Sequence, residues 1–154
     1  MISRMSRDYI EHGLDWRWQP KQIRGLISDP ETVVLCARSQ PLRMTDTYTA
    51  DPHDDILGFG IMRFGMEDAH LMLLAVLPRM RRRGIASRVL GWLEETAATA
   101  GIGEIALEVR AKNAGARTFY REHGYNEREY VPRYYGGRES AFRMTRRLAA
   151  QATD

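Results

Sequence analysis

Ala75-Val76-Leu77-Pro78-Arg79-Met80-Arg81-Arg82-Arg83-Gly84-Ile85-Ala86-Ser87 is the stretch on which the reading of this chain turns. The apolar run Leu71 to Leu77 ends at a proline, which cannot donate to a sheet ladder. Three arginines and a glycine follow. Then Ile85, Val89, Leu93 and Ala97 recur every four residues, with Ala86 and Leu90 beside them, which predicts a helix over 82–100. A strand, an arginine-rich turn and a long helix thus stand in succession. A helix N-terminus exposes backbone N–H groups without intrahelical partners, together with the positive end of its dipole. The turn is therefore suited to an anion, above all a pyrophosphate. Gly84 lets such a group approach with no Cβ in the way, and small Ala86 does nearly the same. Arg81, Arg82 and Arg83 add charge around it. The stretch is neither a Walker loop nor the dinucleotide fingerprint, because neither spacing of glycines occurs in it.

A second informative stretch is Leu107-Glu108-Val109-Arg110-Ala111-Lys112-Asn113-Ala114-Gly115-Ala116-Arg117-Thr118-Phe119-Tyr120-Arg121-Glu122-His123-Gly124-Tyr125. It reads as a strand over 104–110, then a helix from an Asn113 cap to about His123, stopped at Gly124. Arg133-Tyr134-Tyr135, Gly136-Gly137 and Ser140-Ala141 follow, with closing strands expected over 125–131 and 140–148.

Arg81, Gly84 and Ala86 spell Arg-x-x-Gly-x-Gly/Ala. With Val76 and Pro78 they resemble the acyl-CoA-binding motif of the GCN5-related N-acetyltransferases (GNAT). The second stretch is similar to another motif of that family, Asn-x-x-Ala-x-x-Phe-Tyr-x-x-x-Gly-Tyr/Phe after a strand. Leu-Glu-Val-Arg and the Tyr134-Tyr135 hairpin resemble RimI-type enzymes, which acetylate protein N-terminal amines. The resemblance spans residues 56 to 148. It departs at Met80, where the family often has an aromatic, and nothing in residues 1–55 matches RimI.

The resemblance implies one α/β domain over 1–154, with a mixed, mostly antiparallel twisted sheet flanked by about four helices. Acceptor-side helices are expected at about 3–28, an acetyl-CoA core at 56–124 and a C-terminal hairpin at 125–148. The family opens with a strand before its first helix; here that strand is either missing or a stub from Met1 to Ser3.

The implied reaction is direct transfer of an acetyl group from acetyl-CoA to a primary amine. An α-amino group has a pKa of about 7.7–8.0, so it needs only a weak base to attack. The resemblance assigns Glu108 as base and Tyr120 as the acid that protonates the leaving thiolate. His70, Glu67 and Asp68 are fallback bases. Cofactor binding falls to Leu74, Val76, Arg81, Arg82, Arg83, Gly84, Ile85, Ala86, Ser87, Asn113 and Tyr120, with the Val76 N–H facing the oxyanion. Tyr134, Tyr135, Trp16 and Trp18 are expected to line the acceptor groove. Each has a plainer alternative: Glu108 paired with a sheet arginine, Tyr120 and the other aromatics as packing, Asn113 as a helix cap.

The rest of the chain sets bounds. It has 154 residues, 44% hydrophobic and 28% charged, the make-up of a globular protein. No apolar run approaches the roughly 18 residues of a membrane span, and no signal-peptide core opens the chain, so a cytoplasmic location is expected. Cys36 is the only cysteine and the four histidines are not at ligand spacing, so no metal is expected. Net charge is +3, almost all of the basic residues being arginine. Helices are expected at 3–12 and from Pro20, strands at 32–38, 56–64 and 68–77, a polar loop at 39–54, and fraying over the last six residues. A monomer or homodimer is expected. A polyamine or antibiotic acceptor is the competing enzyme reading, with Asp15, Asp51, Asp54 and Asp55 as possible groove carboxylates. A nucleic-acid module built on the arginines and a silent CoA-binding sensor are the readings from other classes.

Overall fold

The computed structural model describes residues 1–15, 17–39 and 56–149. Trp16, the expected loop from residue 40 onward with Asp51, Asp54 and Asp55, and the chain after Ala149 lie outside them. The elements are α1 (Ile2–Met5) running into a π-helical turn (Ser6–Ile10), α2 (Pro20–Ser28), β1 (Thr32–Arg38), β2 (Ile56–Phe64), β3 (Asp68–Val76), α3 (Ile85–Thr99), β4 (Glu104–Arg110), α4 (Ala114–Glu122), β5 (Asn126–Tyr135) and β6 (Glu139–Arg147).

Six strands form one sheet in the order β1-β2-β3-β4-β6-β5. Every neighbouring pair is antiparallel except β3–β4, which is parallel. Among the described residues no strand precedes α1, and Ile2 to Met5 are helical rather than a stub strand.

Helices cover both faces. On one, Val89, Leu90, Leu93 and Ala97 of α3 pack with Met62, Leu71, Ile105, Leu107, Tyr125 and Met144. On the other, Met5 of α1 and Ile23 of α2 pack with Phe59, Ile61 and Leu73. Gly60 permits the first packing: a Cβ there would sit 2.8 Å from Leu93 Cδ1 and 2.9 Å from Val89 Cγ1. Glycine is unfavourable inside a strand, and here it is what lets α3 lie close on β2. Cys36 is half-buried in β1, and burial pushes its thiol up from its ordinary value.

Leu71 and Leu73 have the same parity yet face opposite cores. A bulge explains it: Ile61 pairs with Leu73 and Met62 with Leu71, leaving Met72 extra. The other departures are at ends. The helix expected from Arg82 starts only at Ile85, because Arg82 (φ 59°) and Gly84 (φ 77°) are both left-handed. β5 runs on past Val131 to Tyr135, since an edge strand tolerates Pro132. No helix is long and apolar enough to cross a membrane among the described residues.

Candidate active site

The parallel β3–β4 ladder holds for only three pairs, Asp68↔Glu104, Ala69↔Ile105 and His70↔Ala106. Beyond them the strands diverge, and a cavity of about 480 Å³ opens between them. Leu71 to Leu74 line one side and Leu107 to Arg110 the other; Asn113 at the cap of α4, Ala116 and Tyr120 within it, Tyr9 and Ile10 from the N-terminal segment and Tyr135 of β5 are also in the wall. The backbone polarity of the gap follows from alternation. The Leu77 N–H donates to Leu57 O at 2.8 Å, so Leu77 turns its amide towards β2. The Leu74 and Val76 amides therefore turn the other way, where β4 no longer pairs. Arg81 Nε donating to Val76 O at 3.4 Å agrees with that direction.

At the end of β3 the turn into α3 has the shape of an anion cradle. The first bond of α3 is Arg88 N–H to Gly84 O, so the Ile85, Ala86 and Ser87 amides have no intrahelical acceptor, and no side chain caps them. A Cβ on Gly84 would meet nothing within 4 Å, so its left-handed φ, not crowding, is what calls for glycine. Arg82 and Arg83 are exposed. Arg81 is engaged by Val76 O and stands 5.8 Å from the Tyr9 ring centroid. Ser87 Oγ is held by His123: Nδ1 of that ring faces Phe119 O at 2.8 Å and must carry the hydrogen, so Nε2 accepts from Ser87 at 3.0 Å.

Tyr120 points from α4 into the same gap, edge-on to Phe119 (5.2 Å) and Tyr125 (5.7 Å). Burial pushes its phenol well above the ordinary value, which keeps it protonated. Asn113 is a helix cap, accepting from the Ala116 N–H at 3.1 Å, and it also lines the cavity.

A second cavity, about 490 Å³, shares Ile10, Met72, Leu73, Glu108 and Tyr135 with the first. Its other walls include Glu11, Arg17, Trp18, His70 and Tyr134. Adjacent strand residues normally face opposite sides. Tyr134 and Tyr135 both line this cavity because β5 bulges between Val131 and Tyr135, with Arg133 at φ 54°. Their rings meet edge-on at 4.8 Å. Trp18 lines this cavity with them.

Glu108 stands at the junction of the two cavities. Arg143 Nε donates to its Oε1 at 3.1 Å, and His70 Nε2 lies 2.5 Å from its Oε2. Burial pushes this carboxyl up, but His70 and Arg143 together outweigh it and hold it below the usual range. The expected pairing with a sheet arginine is present, and Glu108 lines both cavities.

Three residues escaped sequence reasoning. Buried Glu11 accepts from Ser6 Oγ (2.9 Å) and from the Arg17 and Trp18 amides (2.7 and 3.2 Å), and so shapes the loop before α2. Arg110 donates to the carbonyls of Ile10 (2.5 Å) and His12 (2.7 Å) and to Glu139 (3.2 Å), tying the N-terminal segment to β4 and β6. Arg143 is the third. Only Arg110 carried a signal, its place in Leu-Glu-Val-Arg. Among the described residues no three His, Cys, Asp or Glu side chains cluster as metal ligands.

The model of the Acetyltransferase (GNAT) family matches residues 11–125. The chain is 33% identical over 101 residues to an uncharacterised N-acetyltransferase of Methanocaldococcus jannaschii, covering 65% of each. It is 37% identical over 87 residues to the ribosomal protein bS18-alanine N-acetyltransferase of Salmonella typhimurium, covering 56% of this chain and 57% of that one. The chain thus spans less than two thirds of these curated relatives. In fold it resembles the ribosomal-protein-S18-alanine N-acetyltransferase of Escherichia coli (TM-score 0.69, 22% identity, 99% of this chain and 92% of that one). It also resembles NAA60 of Arabidopsis thaliana in complex with a bisubstrate analogue (TM-score 0.76, 15% identity, 96% and 92%). The family model covers well over half of the chain, and this chain belongs to the GNAT acetyltransferase family.

Proposed function

We propose that this protein transfers the acetyl group of acetyl-CoA to the α-amine of a protein N-terminus. The observation that carries the reading is the junction of two cavities: the gap between β3 and β4 opens into a second cavity walled by the Tyr134–Tyr135 hairpin and the Glu11–Trp18 loop, with Glu108 and Tyr135 in both. A thioester lying in the first would meet a chain end entering through the second. The names of the relatives from Salmonella and Escherichia coli point the same way.

Acetyl-CoA supplies an activated acyl group. The residues of this chain bind and orient it. The Ile85, Ala86 and Ser87 amides with Arg82 and Arg83 hold the pyrophosphate. The Leu74 and Val76 amides face the gap, where they hold the pantetheine arm and the acyl oxygen, a preorganised donor set for the developing oxyanion. Tyr120, kept protonated, delivers a proton to the departing thiolate. Trp18, Tyr134 and Tyr135 bracket the acceptor.

A polyamine or aminoglycoside would call for free carboxylates in the second cavity. Glu11 and Glu108 are engaged by protein donors there, and Asp15, the third carboxylate of that cavity, faces Arg138 at 3.5 Å, so each already has a basic or donor partner, which favours a peptide end. The test is acetyl-CoA turnover against peptides with free Ala, Ser or Met N-termini, N-blocked lysine peptides, spermidine and an aminoglycoside, with products located by mass spectrometry. Acetylation confined to free N-termini is expected; turnover only on the small amines overturns the reading.

A further inference from the structure

We propose that His70 takes the proton from the attacking amine and that Glu108 is the residue that positions it. This rests on the acetyltransferase reading above and names the base within it.

Exposure separates the two groups. The His70 side chain is 43% exposed and lines only the second cavity, whereas that of Glu108 is 9% exposed. Both Glu108 oxygens already have a partner, Arg143 Nε on one and His70 Nε2 on the other. A carboxylate pinned between two cationic or donor groups is a weak base and a good orienting group.

The tautomer follows. An ionised carboxylate only accepts, so Nε2 carries the ring hydrogen and Nδ1 keeps a lone pair. Among the described residues Nδ1 has no protein partner, so it is the nitrogen left to take a proton. The imidazolium formed there would rest against the Glu108 carboxylate, the same division of labour as a carboxylate behind a catalytic imidazole elsewhere.

Protons balance as follows. The ammonium of the acceptor loses one proton to Nδ1, and His70 later releases it to solvent. The neutral nitrogen forms the N–C bond, and collapse breaks the C–S bond. The thiolate takes a proton from Tyr120, and the second proton leaving nitrogen restores the phenol.

The charged and titratable groups around His70 are these. Glu108 lies on β4, backed by Arg143 of β6. Arg63 is its cross-strand neighbour on β2, itself 3.9 Å from Asp29. Glu11, Asp15, Arg17, Tyr134 and Tyr135 share its cavity.

The test compares wild type, His70→Gln and Glu108→Gln in kcat from pH 6 to 9 on an Ala-peptide. His70→Gln keeps a side-chain N–H for Glu108 but cannot titrate. It should lower kcat by about 10²–10⁴-fold and leave the acetyl-CoA KM within about twofold. Glu108→Gln should lower kcat by about tenfold or more and leave the acetyl-CoA KM within about twofold, because the imidazole loses the carboxylate that orients it. His70→Gln within about threefold of wild-type kcat, with Glu108→Gln inactive, would overturn the proposal. A second measurement needs no acceptor: long-range ¹⁵N NMR of the imidazoles, with His70 identified by its loss in His70→Gln. An Nε2–H tautomer in wild type, its preference lost in Glu108→Gln, is expected, and an Nδ1–H tautomer in wild type overturns the proposal. If wild type acetylates no peptide, the acceptor reading fails while the NMR still decides His70.

Discussion

The guanidinium of Arg110 donates to the carbonyl of Ile10 at 2.5 Å, joining residues a hundred positions apart. The same group reaches His12 O and Glu139. One side chain of β4 thus anchors the wall that the two cavities share. Arg110→Met should cost about 1–3 kcal/mol by leaving those acceptors without their donor. It should also lower kcat/KM for the acceptor about tenfold while acetyl-CoA binding holds. Arg110→Lys should recover part of the stability, since one ammonium cannot span both carbonyls. Denaturant unfolding and steady-state kinetics check both.

Tyr120→Phe removes one oxygen from a packed ring. The aromatic contacts with Phe119 and Tyr125 survive, so the melting temperature should stay near wild type. Turnover should fall about 10²-fold or more while the calorimetric Kd for CoA stays within about twofold. Equal loss of binding and turnover would mark Tyr120 as packing alone.

Gly84→Ala tests the cradle. Space is open around that Cα, so the strain comes from φ 77°, worth about 1–2 kcal/mol for an L-residue. The acetyl-CoA KM should rise by about tenfold as the turn relaxes, with acceptor KM unchanged. Thermal melts with and without CoA would read it.

Glu94 predicts a pH effect away from the site. It is buried in α3, bonded to Arg146, with Tyr125 Oη at 3.5 Å. Burial raises its carboxyl above the ordinary value, and Arg146 only partly offsets this. Its folded value therefore lies above its unfolded one, so ionisation is harder in the native state. The contribution to stability is greatest below the unfolded value and declines as pH rises through the folded one. Glu94→Gln should lack that decline, so the stability difference should move in favour of glutamine from pH 4 upward. Urea midpoints at several pH values would show it.

Much of the fold was legible because its elements carry local periodicity. Thr32–Arg38, Ile56–Phe64 and Glu104–Arg110 run as the β-branched and alternating patterns predict. The turn into α3 and the start of α4 were legible for the same reason: each motif is contiguous in sequence. The walls of the second cavity were not. Glu11 reads as one more exposed acid until Arg17 and Trp18 fold back on it. Glu94 sits on the apolar stripe four residues after Leu90, and only β6 supplies the arginine that lets it stay. Tyr134 and Tyr135 look like opposite-facing neighbours until a bulge turns both one way. Each miss is a long-range contact or a register shift, which periodicity does not encode.

The three-rung β3–β4 joint has a mechanical consequence. The sheet is two three-stranded leaves, β1-β2-β3 and β4-β6-β5, hinged on Asp68–His70 and Glu104–Ala106. A molecule that engages the Leu74 and Val76 amides on one leaf and α4 on the other supplies the rungs that the chain omits. Loading would then stiffen the protein as well as prepare it for reaction, with slowed amide exchange at Leu74 and Val76 and a melting point that climbs with ligand concentration. The empty and the charged protein would differ less in shape than in how firmly their two halves are joined.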